Sequence, residues 1–292
     1  MTGQSGAMVN AMTVDVEDYF QVQAFAHCVS RTDWDGIAPR VETNVDRILD
    51  QFAAANVRAT FFTLGWIAER HPAMVRRIVA AGHELASHGW DHTRADTQDP
   101  ATFQADVLRT RLTLEDIGGV AINGYRAATF SIGARNLWAF AELQAAGYTY
   151  SSSINPIRHD LYGMPDAPRV PFHPEGCDLW EIPMTTVRAF GRNWPCSGGG
   201  YFRLLPTFLY YQGLIRVNRN EQRPGIFYFH PWEVDPGQPR IADCGWKSQV
   251  RHYTNLSAMG PALDKLLRDF AWDRMDRVYA EVLGTARVSV PA

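Results

Sequence analysis

The chain has 292 residues, 46% of them hydrophobic and 20% charged, with 28 Lys plus Arg against 31 Asp plus Glu and a formal charge of −3. This is the composition of a packed globular protein with a sizeable core, which excludes disordered, collagen-like and coiled-coil chains. No basic excess marks a nucleic-acid binder, and no apolar run approaches the length of about 18 residues that a membrane span needs.

In chain order, Met12 to Val16 reads as a short buried strand that runs into acids, Asp15, Glu17 and Asp18. Val45, Ile48, Leu49 and Phe52 recur at helical spacing, so Thr43 to Ala55 reads as an amphipathic helix with Thr43 or Asn44 as its cap. Val57 to Leu64 reads as a strand, Pro72 to Ala81 as a helix stopped by Gly82, and His83 to Ser87 as a strand. Helices follow over Pro100 to Ile117 and Arg135 to Ala146, with strand-like pieces at Tyr148 to Ser152, Leu179 to Pro183 and Ile226 to His230. Pro156 to Gly200, rich in Pro and Gly, reads as long loops, and Pro261 to Leu283 as a last helix. Alternating strands and helices indicate parallel βα units, an α/β fold whose functional groups gather at the C-terminal strand ends.

The polar residues cluster at those ends. His88 and His92 are four apart, which on a helical turn puts both imidazoles on one face around one metal ion. Asp15 and Glu17 share a face of the extended chain, so Asp15 and one of Glu17 or Asp18 form a pair, one carboxylate on the metal and the other free as a base. Arg126 stands in an uncharged segment and can pair with a carboxylate, and His230 ends an apolar strand. The four cysteines, Cys28, Cys177, Cys196 and Cys244, are widely spaced, so reduced thiols are expected. With no basic or apolar leader in Met1 to Gly6, the expected location is cytoplasmic.

Together, the acidic strand end, Ala59-Thr60-Phe61-Phe62, the run from Gly82 to His92, Gly124-Tyr125-Arg126 and the strand ending in His230 resemble the polysaccharide deacetylases, the NodB-homology carbohydrate esterases, over Met12 to Trp232. The run Tyr228 to Pro236, with Gly198 to Arg203 and Arg251 to Asn255, is similar to a subgroup from exosortase-associated exopolysaccharide gene clusters, which carries a C-terminal extension of unknown function. The resemblance implies a distorted (β/α) barrel over residues 12–235 with a C-terminal helical extension, 236–292, packed on it. It implies a divalent metal, usually zinc, held by His88, His92 and an acid, Glu17 or Asp18. It makes Asp15 the base, Arg126 the group that holds it, and His230 the general acid. Thr129 supplies a backbone N–H for the oxyanion, with Phe130 and Trp232 beside the substrate.

Two departures stand out. Ala127 and Ala128 replace prolines, and Ser151 stands where an Asp often assists the general acid, so His230 is expected to lose its proton early. The expected activity is hydrolysis of N-acetyl groups from an N-acetylated glycan or its precursor in exopolysaccharide metabolism, with acetate released. The alternatives are another amide hydrolase (a deformylase or ureide hydrolase) and a glycan-binding pseudoenzyme. The expected partner is an N-acetylated carbohydrate; nucleic acid and a membrane span are not expected, and the sequence does not give the oligomeric state.

Overall fold

Strand β1, Val9–Val16, is buried along all but its first residue, because it is paired along its length inside a parallel sheet. The structure, a computed structural model, describes residues 8–242 and 244–284. Met1 to Gly6, where the sequence is expected to hold no leader, lies outside the described residues, as does the end of the 236–292 extension.

After β1 come α1 (Val41–Ala54), β2 (Thr60–Thr63), α2 (Gly65–Arg70), α3 (Pro72–Ala80), β3 (Glu84–Ser87), α4 (Pro100–Gly118), β4 (Gly124–Tyr125), α5 (Ala139–Ala145), β5 (Tyr150–Ser151) and β6 (Trp180–Glu181). The second half adds β7 (Thr186–Ala189), β8 (Arg192–Pro195), α6 (Gly199–Leu204), α7 (Thr207–Asn220), β9 (Ile226–Phe229), α8 (Trp246–Tyr253), α9 (Leu256–Asp269), β10 (Ala271–Asp273) and α10 (Met275–Val278). The main sheet runs β10–β1–β2–β3–β4–β5–β6, with β9 also on β1, and every pairing is parallel. It curls into a half-barrel wrapped by helices. The amphipathic faces of α1, α3 and α4 press Val45, Ile48, Phe52, Val75, Phe103 and Val107 onto it. The start and stop signals of α4 act as its sequence suggests: Asp99 accepts the Thr102 N–H, Pro100 opens the helix, and Gly119 closes it at a φ of 65°.

Three expectations change here. Helix α1 starts at Val41, and neither Thr43 nor Asn44 caps it. Its first amides, Arg40 and Val41, donate to Asp18 Oδ2 at 2.7 and 3.0 Å. The Pro/Gly-rich stretch contains an antiparallel hairpin, β7–β8, turned at Phe190–Gly191, both with positive φ. The expected last helix is broken after Asp269. There Ala271–Asp273 pairs with Val9–Ala11 in the main sheet, and the Trp272 indole donates to the Leu266 carbonyl at 3.0 Å. The C-terminal extension is therefore woven into the barrel and supplies one of its strands.

The cysteine expectation is also corrected. Cys28 and Cys244 form a disulfide across 216 residues of sequence, with Cα atoms 5.5 Å apart, while Cys177 and Cys196 are free. The bond ties the segment after β1 to the extension, where Phe20, Phe25, Trp34, Trp232 and Leu256 form one apolar cluster. A cross-link over so long a loop removes much unfolded-state entropy. Cys28→Ser is expected to lower stability by about 2–5 kcal/mol, read as a lower Tm that reductant reproduces in the native protein. An unchanged Tm in both would mean that the bond carries no stability.

Candidate active site

The end of β1 places three carboxylates within four residues, and the fold sends each to a different partner. Asp15 points into the barrel and accepts from Arg126 Nη1 at 2.6 Å. Glu17, just past the strand, faces His92 Nε2 at 3.0 Å and His230 Nε2 at 3.3 Å. Asp18 turns away to cap α1, with its other oxygen taken by the Tyr19 N–H at 2.8 Å. The acid left open by the sequence is thus resolved by placement: Glu17 is the one beside the two histidines, and Asp18, spent on three backbone amides, is corrected to a structural role.

Arg126 is wholly buried. Besides Asp15 it donates to Thr13 Oγ1 at 2.8 Å, to the Ser152 carbonyl at 3.2 Å and to Ser152 Oγ at 3.2 Å, and its guanidinium lies over the Phe62 ring. The next residue shows why alanine replaces proline there: the Ala127 N–H donates to Ser153 Oγ at 2.9 Å, a bond proline cannot make.

His88 and His92 do not sit on a helical turn. They lie in the loop after β3, bent by Gly89 at a φ of 77° and by His92 itself at 60°. The loop still brings the rings to 5.5 Å between centroids. The Arg126 carbonyl is 2.8 Å from His88 Nδ1, so that nitrogen carries the hydrogen and Nε2 keeps its lone pair. His83, by contrast, is a hydrogen-bonding residue: its Nδ1 accepts the Ala59 N–H at 3.0 Å, and burial pushes its pKa down to about 4.

One ligand atom each from Glu17, His88 and His92 can be chosen so that all lie within 4.8 Å of one another, in a buried setting. Burial lowers the pKa of both histidines, with His88 also lowering that of His92, so both imidazoles stay neutral. Burial raises Glu17 to about 7 against the opposing charge of His230. Glu17 Oε2 is buried and receives no hydrogen bond although His92 Nε2 is close. A divalent cation between these atoms removes that conflict, and two imidazoles with one carboxylate are a donor set that leaves a position open for chemistry.

His230 caps the far side. Its Nδ1 is 2.8 Å from Glu233 Oε1, and Glu233 Oε2 accepts from Arg203 Nε at 2.6 Å. Burial alone would lower the His230 pKa; the carboxylates of Glu17 and Glu233 overrule it and lift it to about 9. Burial would raise that of Glu233, but Arg203 and His230 hold it at about 2. This corrects the expectation built on Ser151. That hydroxyl bonds Ser153 Oγ at 2.7 Å in β5, and the carboxylate beside His230 is Glu233. A second correction concerns Trp232, 7% exposed. Its ring is sandwiched between His230 and His252, centroids 5.2 and 4.0 Å away, and is closed to a sugar face. Thr129 and Phe130 follow Arg126 at φ values of 55° and 49°. The Phe130 and Ser131 amides are spent on the Ala127 and Ala128 carbonyls, and the Phe130 ring is buried against Tyr162 and Tyr228. Thr129 is the partly exposed member of the turn.

Sequence reasoning gave Arg203 and His252 no role, although both lie in the runs Gly198 to Arg203 and Arg251 to Asn255. The runs converge on Glu233. Arg203 Nη1 donates to the His252 carbonyl at 3.3 Å and to that of Thr254, and Asn255 Nδ2 donates to the Arg203 carbonyl at 2.8 Å. At Gly199 a Cβ would come within 2.6 Å of Glu233 Oε1, so only glycine fits.

Comparison with known proteins agrees in kind. Residues 32–151 match the family model described as polysaccharide deacetylase, and residues 152–280 match a domain of unknown function, DUF3473. A peptidoglycan-N-acetylglucosamine deacetylase of Listeria monocytogenes is 35% identical over 72 residues, 25% of this chain and 16% of that protein. A chitooligosaccharide deacetylase of a Bradyrhizobium strain is 29% identical over 92 residues, 32% of this chain and 42% of that one. The matched segments thus span less than half of these relatives. Among solved structures, a Mycobacterium smegmatis protein assigned to the polysaccharide deacetylases aligns over all of this chain and 97% of its own, with a TM-score of 0.60 at 19% identity. The Bc1960 peptidoglycan N-acetylglucosamine deacetylase aligns over 98% and 92%, at 0.51 and 14%. At such identities the likeness is one of fold.

A general acid works only while protonated. Glu233 raises the His230 pKa, so Glu233→Gln is expected to lower it and bring the alkaline limb of any His230-dependent rate to lower pH. The measurement is kcat/KM against pH at saturating metal; an unmoved limb in a folded variant would remove Glu233 from this role.

Proposed function

Starting from a chain that belongs to the polysaccharide deacetylase family, we propose a metal-dependent hydrolase that removes N-acetyl groups from an N-acetylated glycan and releases acetate. The observation that carries this reading is the meeting of three groups at one place. These are the Glu17, His88 and His92 donor set, the Asp15–Arg126 pair and the His230–Glu233 pair.

A divalent cation held by Glu17, His88 and His92 supplies Lewis acidity toward the acyl carbonyl and the attacking water, and zinc suits the donors. Asp15, fixed by Arg126, accepts the proton of that water. Arg126, by binding one oxygen of Asp15, aims the other. The backbone N–H of Thr129 donates to the oxygen on which charge develops, where a fixed dipole in a buried site acts strongly. His230, held protonated by Glu233, gives its proton to the leaving nitrogen, and the C–N bond breaks to amine and acetate. Glu233 therefore weighs against the binding-only alternative, because the carboxylate that Ser151 cannot supply comes from three residues after His230 itself.

The subgroup runs support a role in exopolysaccharide metabolism, since Arg203, His252 and Asn255 are what they build around Glu233. Among the described residues no helix is long and apolar enough to cross a membrane. The Cys28–Cys244 bond supports an oxidising compartment over the expected cytoplasmic location.

The test is acetate release from N-acetylglucosamine oligomers together with metal content. His88→Ala and His92→Ala are expected to lose both metal and turnover. Asp15→Asn is expected to keep the metal and lose about 10²- to 10⁴-fold in turnover, the usual weight of a general base. Full metal content in the double histidine variant would overturn the site, and loss of metal in Asp15→Asn would make Asp15 a ligand.

A further inference from the structure

A second concavity lies outside the catalytic cluster. It is a groove of about 1190 Å³ between the β7–β8 hairpin, the 157–169 segment and helices α6 and α7, entirely within the part of the chain that matches the domain of unknown function. It exceeds the usual range for a single small ligand, about 300–1,000 Å³, and suits a chain.

Its charge is not that of the protein. Five arginines line it against one acid, Asp166, on a chain whose formal charge is −3. Arg169 is neutralised by Glu221 at 3.0 Å. Arg158, Arg188, Arg192 and Arg216 are exposed and have neither a side-chain hydrogen bond nor an ion pair among the described residues. Four unpaired guanidinium groups around one groove repel each other until an anion joins them, and their planar forks match carboxylates. Aromatic surface is interleaved with this charge. Trp194 is 52% exposed in the groove wall, and Phe190, at the hairpin tip, is 96% exposed. An exposed ring offers an apolar face to the C–H side of a sugar while neighbouring arginines take its charged group.

The groove also adjoins the catalytic cluster. Tyr201 lines it and hydrogen-bonds Tyr162, whose ring lies 5.5 Å from that of Phe130, the neighbour of Thr129. A polymer entering the site thus has a positively charged track beside it.

We propose that this groove binds a carboxylated stretch of glycan, so that the substrate class is an acidic polysaccharide carrying N-acetyl sugars. The inference rests on the deacetylase reading for the identity of the polymer, and on the groove alone for its charge. A concave track favours a linear chain over a flat bilayer, and the hairpin's exposed rings make the bilayer the outcome to be tested against.

The experiment is calorimetric titration of oligogalacturonate, of chitohexaose as the neutral control and of phosphatidylglycerol vesicles into the full chain, in native and Asp15→Asn forms. Oligogalacturonate is expected to bind both forms, to weaken steeply with salt and to bind better than chitohexaose. The Arg188→Ser/Arg192→Ser double variant is expected to lose about tenfold or more, as charge-assisted contacts are removed. Arg158→Ser, on a different segment, is expected to weaken binding independently, so that a misfolded hairpin does not decide the matter. Absence of oligogalacturonate binding, binding indifferent to both variants, or binding to the vesicles alone would overturn the proposal. If oligogalacturonate binds and no N-acetyl substrate releases acetate, the deacetylase reading falls and the groove stands; the reverse result removes the groove alone.

Discussion

Three buried carboxylates within four residues are the constraint around which this structure is arranged. Removing an ionised carboxylate from water is costly unless opposite charge or several donors replace the solvent. Each acid at the end of β1 solves this differently. Asp15 takes a fully buried guanidinium, Arg126. Asp18 takes the amides at the start of α1, where the helix end offers unpaired N–H groups. Glu17 has an indole N–H at 3.4 Å and two imidazoles, which leaves its Oε2 unsatisfied. Burial raises its pKa in spite of the charge of His230 beside Oε1, and the neutral His92 beside Oε2 brings no balancing charge. The donors that a divalent cation would join are those of Glu17, His88 and His92.

The same accounting explains why the two matched halves act as one body. Asp15 precedes the residues matched by the deacetylase model, which carry His88, His92 and Arg126; His230, Glu233 and Arg203 belong to the second half. Arg203 offsets Glu233, and Glu233 joins Glu17 in offsetting His230, so the charge of the acid depends on side chains of both the first segment and the domain of unknown function. His252 extends the stack through Trp232 and stays neutral, because burial and then Arg203 push its pKa to about 3. Meanwhile β10 lies in the sheet and Cys244 is bonded to Cys28. A fragment ending near residue 151 would hold the donor set without its acid.

What could be read from the sequence was what local pattern encodes. Apolar runs gave β1, β2, β3 and β9, the 3.6-residue period gave α1, glycine stops bounded α3 and α4, and the acids and histidines at strand ends marked the site. What escaped depends on distance along the chain. The disulfide joins cysteines 216 residues apart, and the Glu233–Arg203 pair needs the fold before it exists. Local signals also misled. His88 and His92 have helical spacing, yet Gly89 and the αL conformation of His92 make a loop do the same work. The hairpin at Phe190–Gly191 lacks the Asn-Gly or Asp-Gly dipeptide that would have announced it. Leu263, Leu266 and Leu267 carry a true helix, but the Ala271–Asp273 strand that ends it is chosen by the open edge of β1.

Backbone strain shows where the fold gives way to the site. Seven non-glycine residues have positive φ among the described residues. His92, Thr129 and Phe130 lie in the catalytic cluster, and Asn255 holds Arg203 by its carbonyl. Each such residue costs on the order of 1 kcal/mol or more, and strain of this kind survives only where the surroundings over-determine it. Here they do. The turn at Thr129 is pinned on one side by Arg126, anchored to Asp15, Thr13 and Ser152, and on the other by Ser131, whose hydroxyl donates to the Ala128 carbonyl at 2.7 Å. The guanidinium that neutralises Asp15 is thus also the anchor that keeps the Thr129 turn in its strained form, and its carbonyl orients His88. Loss of the Arg126 side chain would leave a buried charge uncompensated and unpin the Thr129 turn, in the same backbone whose carbonyl orients His88. That is why a single arginine in an otherwise uncharged segment carries so much of the chemistry.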